Sequence, residues 1–321
     1  MKLGVLSVVL QDLPFEKAAG LLAGQGADMI EIGCGGYPGR AHCDPEILLK
    51  DKAKLREFRK ILTDNGLAIS ALSCHANPVH PNAARAARDD ADLRRAVLMA
   101  EALGVDRINT FSGCPGGAKG DSQPNWVTCA WPPEYLDVLD YQWNEVLIPY
   151  WTEFTAYAAE HGVDKIGFEL HPGFCVYNTA TMLKIRAAVN DHLGANLDPS
   201  HLIWQGMDPV RVIRELGSAI FHFHAKDTAL DRDNIRLNGV LDTGHYSDFA
   251  HRSWSFRTVG YGNGEDYWRW ILSALRMVGY DHAISIEHED GLMSGAEGLR
   301  KAIAFLKPLI IQEPAGPMYW A

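Results

Sequence analysis

Four segments of this chain end an apolar run in residues that core filling does not explain. KIGFELHPG carries Glu169 and His171, and GANLDPSH carries Asp198 and His201. IFHFHAKD carries His222, His224, Lys226 and Asp227, and AISIEHED carries Glu287, His288 and Glu289. Burying two Glu, one Asp and one His together is costly, because like charges repel in a low dielectric. One divalent cation removes that cost and uses Glu169, Asp198, His224 and Glu287 as ligands. The donor set is mostly oxygen with one imidazole, which suits Mn²⁺, Mg²⁺ or Co²⁺ better than a thiolate-type zinc site. A strand period of two puts His222 and His224 on one face. His224 lies nearer the C-terminal end and is the expected ligand, with His222 a deeper or core histidine. Glu289 shares a face with Glu287 but lies further into the loop, so Glu287 is preferred.

Two more histidines, His75 and His80, lie in SCHANPVHPN after the third strand and are expected at the site mouth. His75 directly follows an apolar run and is a candidate extra acid/base; a hydrogen-bonded loop histidine is the alternative. The six cysteines are scattered without a CxxC pair, which reads as reduced thiols rather than a zinc site or a disulfide framework.

The elements that must position these residues alternate. Strand candidates are Leu3–Leu10, Met29–Cys34, Ala68–Cys74, Arg107–Ser112, Lys165–His171, Gly194–Asp198, Ile220–Lys226 and Ala283–Glu289. Amphipathic helical stretches lie between and after them, at Phe15–Gly26, Leu49–Asn65, Ala84–Leu103, Gln142–His161, Thr179–His192, Pro209–Leu216, Glu265–Val278 and Ser294–Lys307. Gly26, Gly66, Gly104, Gly162 and Gly279 stand where helices should stop before the next strand. Eight such units predict an α/β fold, a (β/α)8 TIM barrel spanning 1–321 as one domain with no linker. A doubly wound open sheet is the runner-up, but the GxGxxG expected at its first turn is absent.

In a barrel the strand ends carrying the carboxylates converge on the C-terminal face, where active sites form. Two connections to that face are long, about 113–141 after strand four and about 228–264 after strand seven. Both are rich in aromatics, Trp126, Trp131, Tyr135 and Tyr141 in the first, Tyr246, Phe249, Trp254, Phe256 and Tyr261 in the second. Loops of this length are uncommon unless functional. Their aromatics, Trp126 among them, are candidates to stack on a sugar or ring, with self-packed lids as the alternative.

The chain has 321 residues, 47% hydrophobic and 22% charged, with 40 acidic against 30 basic residues and a net charge of −10. That field disfavours phosphate backbones, so no nucleic-acid partner is expected. No window reaches the roughly 18 apolar residues of a membrane helix, and the first residues lack a secretory pattern. The expectation is a soluble, cytoplasmic protein.

FELHPG, NLDPSH, HFHAKD, VGYGNGEDYW and ISIEHED follow in that order, preceded by MIEIGCGG. Over nearly its whole length the chain resembles the xylose isomerase-like TIM-barrel superfamily, the sugar phosphate isomerases/epimerases. The resemblance implies one catalytic divalent metal, often Mn²⁺, at Glu169, Asp198, His224 and Glu287. It makes His201 and Lys226 substrate-contacting positions and Arg257 an anchor for substrate oxygens; His171 is a further candidate contact. A metal chelated by a ketone oxygen and a neighbouring hydroxyl acidifies the adjacent carbon. Glu169 and Glu287 would then serve as acid and base around a metal-stabilised enediolate. Reprotonation from the opposite face gives epimerisation. A leaving group β to the carbonyl gives a dehydratase or a glycoside-cleaving eliminase instead.

The aromatic insertions also resemble those of the large subunit of bacterial C-glycoside deglycosidases. That likeness implies 3-keto glycosides of aromatic aglycones as substrates and a small β-sandwich partner subunit. Family likeness implies a homo-oligomer. Two other classes compete. An apurinic-site endonuclease would need further ligands for three zincs and a basic face, against which the net charge argues. A non-catalytic carbohydrate-binding subunit would not need every ligand type to be present. The tail EPAGPMYWA is compatible with either a barrel cap or a contact to another subunit.

Overall fold

Ten strands organise the chain: β1 (Lys2–Leu6), β2 (Met29–Gly33), β3 (Ala68–Ser73), β4 (Arg107–Thr110), β5 (Lys165–Glu169), β6 (Leu193–Leu197), β7 (Ile220–Ala225), β8 (Asp227–Leu230), β9 (Trp254–Arg257) and β10 (Ala283–Ile286). The computed structural model describes residues 1–320. Strands β1 to β7 and β10 close into a barrel in the order β1-β10-β7-β6-β5-β4-β3-β2, while β8 and β9 form a separate antiparallel pair. Every barrel neighbour is parallel. A helix follows each barrel strand, at Phe15–Gln25, Lys52–Asp64, Ala83–Leu103, Ile148–Glu160, Thr179–Ala188, Pro209–Leu216, Glu265–Met277 and Gly295–Leu306. This is the (β/α)8 architecture expected from the alternation.

Local chemistry explains the boundaries. Gly26 and Gly104 close their helices in the left-handed conformation, φ 83° and 72°, where a Cβ would be strained. Asp51, Asn82, Asn178 and Ser294 cap helix N-termini, each accepting backbone N–H bonds. Trp151, Phe154 and Trp268 are fully buried on the helices flanking the barrel. The Trp151 ring meets Phe168 of β5 at 4.5 Å. The core lies on both sides of the strands, which is why parallel-barrel strands read as near-continuous apolar runs.

Three expectations change. The first strand stops at Leu6 rather than Leu10, and Ser7–Leu10 forms a 3-10 turn. The apolar run outlasts the ladder, whose last pair with β2 is Leu6 with Glu31. The loop after β4 contains a helix at Glu134–Asp140 that continues through a π-helical stretch, Tyr141–Leu147. The connection after β7 folds on itself, with β8 and β9 paired and a helix at Arg232–Asn238 between them. No helix among the described residues is long and apolar enough to cross a membrane.

Candidate metal centre

Alternation along β5 sets the first ligand. Ile166 and Phe168 are core residues on one face, and Gly167 shares the other with Glu169. A Cβ at Gly167 would lie 2.7 Å from Asn109 Oδ1, so this inner layer is filled by the neighbouring side chain. Asp198 directly follows β6 and caps the helix Pro199–Trp204, its Oδ1 accepting from Ser200 N at 2.8 Å. The cap uses one oxygen and leaves Oδ2 for the barrel axis. His224 on β7 stands in register with Ser285 on β10, and Glu287 follows β10.

The structure brings Glu169, Asp198, His224 and Glu287 together. One donor atom from each lies within 4.8 Å of all the others. An octahedral divalent ion with bonds of 2.0–2.1 Å holds opposite ligands about 4.2 Å apart, so the set can close around one ion. Asp198 Oδ2 and Glu287 Oε2 are buried, with Lys226 against both and His224 Nδ1 2.9 Å from the latter. The Lys226 ammonium is 3.0 Å from each, 2.9 Å from Glu289 Oε2 and 4.0 Å from Glu169 Oε1. Buried carboxylate oxygens converging on one position fit an oxygen-rich divalent site.

The electrostatics follow from this crowding. Burial works to raise the Glu169 pKa, but hydrogen bonds from His201 and His75 and the Lys226 charge hold it well below the usual range. His201 Nε2 lies 2.9 Å from Oε1 and His75 Nε2 2.9 Å from Oε2. Burial also opposes ionisation of Glu287, yet Lys226 and His224 bring it to about 2. For Asp198 burial wins: despite Lys226, the nearby charges of Glu169 and Glu287 help push it up to about 7. Lys226 is fully buried, and Asp198, Glu287, Glu289 and Glu169 overcome that burial to keep it charged. Burial, with His171 and Lys226 beside it, lowers His201 to about 3, so this imidazole is neutral.

Two neighbouring cavities share lining residues, and the inner one reaches the cluster. The inner one, about 160 Å³, is lined by Tyr37, His75, Phe111, Glu169, Lys226 and Glu287 among others. The outer one, about 350 Å³, is walled by Tyr246, Phe249, Ser255, Phe256 and Gly291. His171 and Glu289 belong to both. His171 Nδ1 donates to Pro172 O at 2.5 Å, which leaves Nε2 as an acceptor. Burial lowers its pKa.

Three expected residues are placed elsewhere. Arg257 is held by Asp290, Nε to Oδ2 at 3.2 Å, and lines neither cavity. Its charge is already spent on a buried carboxylate. Trp126 packs edge-on against Tyr177 at 5.5 Å and also lines neither cavity. The ring is partly buried against the hydrophobic core. His80 is tied into its own loop, accepting from Asn82 N at 2.9 Å.

Two carboxylates carry roles that the sequence does not assign them. Asp227 accepts from Gly260 N, Gly262 N, Asn263 N and Nδ2, Trp268 Nε1 and its neighbour Thr228 N, and so pins the VGYGNG turn to β8. Glu31 on β2 lies within 3.0 Å of His224 Nε2 through both carboxylate oxygens. A charged residue inside the apolar MIEIG run was the available signal for it.

The description "Xylose isomerase-like TIM barrel" matches residues 20–309. The chain belongs to that family. Protein YfiH of Bacillus subtilis (strain 168) is 38% identical to this family member over 315 residues, 97% of this chain and 100% of YfiH. The solved structure of a D-tagatose 3-epimerase-like protein is similar in fold, with TM-score 0.63 and 20% identity over 96% of this chain and 98% of that one. So is that of the probable 3-DHS dehydratase AsbF, involved in petrobactin synthesis, from Bacillus anthracis. Its TM-score is 0.63 and its identity 17%, over 96% of this chain and 99% of that one.

Proposed function

We propose that this xylose isomerase-like barrel is a divalent-metal-dependent enzyme that removes a proton from the carbon beside a ketone of a sugar or sugar derivative, with isomerase/epimerase outcome. The carrying observation is the arrangement of carboxylates. Glu169 and Glu287 stand at the two ends of the four-strand arc β5-β6-β7-β10, with Asp198 and His224 between them. Both are held ionised, so either can accept a proton.

Glu169, Asp198, His224 and Glu287 would hold the ion, and their hard oxygen donors favour Mn²⁺. When bound, it supplies Lewis-acid polarisation of the ketone and hydroxyl oxygens. The chain's own residues do the rest. Glu169, steadied by His75 and His201 on its two oxygens, and Glu287, beside Lys226, face the inner cavity as the pair that takes and returns the proton. Return from the carboxylate opposite the one that took it inverts the carbon. Lys226 lines the inner cavity as a hydrogen-bonding partner for substrate oxygens, while buried His201 acts through Glu169. The D-tagatose 3-epimerase-like protein and the probable 3-DHS dehydratase share the fold.

The outer cavity favours a second reading, elimination from a 3-keto glycoside. Its aromatic walls of Tyr246, Phe249 and Phe256 continue from the inner cavity through His171 and Glu289. A free ketose has no group for that space, whereas a glycoside would seat its apolar substituent there.

The test is solvent-deuterium exchange with Mn²⁺-loaded protein and a panel of ketoses and 3-keto glycosides. Exchange without bond cleavage supports the epimerase outcome, and release of the substituent supports elimination. Exchange that survives both Glu169→Gln and Glu287→Gln, or no turnover across the panel, overturns the assignment.

A further inference from the structure

One fully buried carboxylate takes no part in the cluster described above, yet four strands supply donors to it. Glu31 projects from β2 into the barrel with none of its surface exposed. It accepts from Ser73 Oγ on β3, Asn109 Nδ2 on β4 at 2.8 Å, Ser285 Oγ on β10 at 2.6 Å and His224 Nε2 on β7 at 3.0 Å. Burying a charge in a barrel interior costs several kcal/mol, even with partners. An apolar side chain would fill the layer more cheaply. The arrangement therefore points to a role for the charge.

The two nitrogens of His224 face different groups. Nδ1 is 2.9 Å from Glu287 Oε2 and 3.7 Å from Glu169 Oε2, on the ligand side. Nε2 faces Glu31. An imidazole binds a metal through a nitrogen that carries no proton, and the bond made by its other nitrogen selects the tautomer. Donation from Nε2 to Glu31 leaves the Nδ1 lone pair free for the ion. Without the carboxylate, the Nδ1–H tautomer bonded to Glu287 becomes favourable, and that tautomer cannot bind metal through Nδ1.

A second ion held directly by Glu31, His222 and His224 is the competing use of the same atoms, whose donors do lie close together. The hydrogen bonds disfavour it. Both Glu31 oxygens are already engaged by hydroxyl, amide and imidazole donors. His222 Nδ1 donates to Asn196 Oδ1 at 3.0 Å, its Nε2 is 3.3 Å from Ser70 Oγ, and it stands 3.7 Å from Glu31.

We propose that Glu31 is a positioning residue of the metal site: by accepting the Nε2 proton of His224 it fixes the imidazole's orientation and presents Nδ1 to the cation. This rests on the metal-dependent reading above. The experiment measures the Mn²⁺ dissociation constant by calorimetry, with the Co²⁺ visible spectrum as a second readout. It compares wild type, Glu31→Gln, Glu31→Asp, His224→Ala and the Glu31→Gln/His224→Ala double variant, all checked for folding by circular dichroism. Loss of an outer carboxylate partner typically weakens a site about 10–100-fold, and Glu31→Gln is expected in that range with an altered Co²⁺ spectrum. Glu31→Asp keeps the charge and recovers part of the affinity. In the His224→Ala background Glu31→Gln adds less than about twofold, because the histidine through which it acts is gone. Wild-type affinity in Glu31→Gln overturns the proposal, as does an undiminished loss in the His224→Ala background. If Glu31→Gln does not fold, Glu31→Asp decides: reduced affinity supports the role and wild-type affinity refutes it. A wild-type protein that binds no divalent ion refutes the metal reading itself, a separate outcome.

Discussion

Lys226→Met tests the electrostatics of the cluster most directly. The substitution keeps the length of the side chain and removes its charge. The ammonium lies 3.0 Å from Asp198 Oδ2 and from Glu287 Oε2. Each contact is worth about 5 kcal/mol in gross Coulomb terms at an effective dielectric near 20. The Glu289 contact is discounted, because that side chain is 48% exposed and screened by solvent. Desolvation offsets most of the gross sum, and removing one partner of a buried pair leaves a net loss of about 3–5 kcal/mol. For a chain of this size that is about 4–7 °C in melting temperature.

The opposite sign holds for the cation. A divalent ion and an ammonium about 4 Å apart repel by about 2 kcal/mol even at the dielectric of water, so removing the ammonium tightens ion binding about thirtyfold. The assay is thermal unfolding of wild type and variant, first in chelator and then with saturating Mn²⁺, beside an Mn²⁺ titration. Lys226→Met should melt lower in chelator and gain more from Mn²⁺ than wild type does. Equal melting temperatures in chelator, or weaker Mn²⁺ binding by the variant, refute the reasoning.

Burial holds His222 neutral in the folded state, with its pKa lowered to about 3, while the unfolded chain binds a proton near 6.5. The stability this contributes is complete above about pH 6.5 and is lost as pH falls toward 3. Urea midpoints at pH 7 and pH 5 should differ more for wild type than for His222→Gln. Asp227→Ala strips the carboxylate from its six donors and should cost about 3 kcal/mol or more, since each hydrogen bond to a charged group contributes about 1.5–3 kcal/mol. Hydrogen exchange should then rise first over 258–264. Ser255→Trp fills the outer cavity, so it should raise KM for a 3-keto glycoside with an aryl substituent at least about tenfold and leave exchange into a free ketose unchanged. Equal KM values would separate that cavity from substrate binding.

Much of the site was legible because its residues interrupt regular patterns. Glu169, Asp198, His224 and Glu287 each end an apolar run, and a parallel barrel sends such strand ends to one face. Glu31 and Asp227 were harder to read. A single acidic residue inside or after a strand does not reveal whether it binds a ligand, caps a loop or holds a histidine, because its donors come from distant strands. Arg257 looked free for a substrate because Asp290, 33 positions further on, is brought beside it only by folding. Trp126 was placed by aromatic content, yet the path of its loop decides which way the ring turns.

By itself the sequence determined the repeat of strand and helix, the helix stops at glycine and the four residues that crowd the strand ends. These follow from local periodicity, backbone preference and the cost of buried charge. Only the tertiary structure decided which carboxylate oxygens converge, which nitrogen of His224 faces the cluster and which aromatics wall the outer cavity. Those are relations between strands far apart in the chain, and the closure of the barrel sets them.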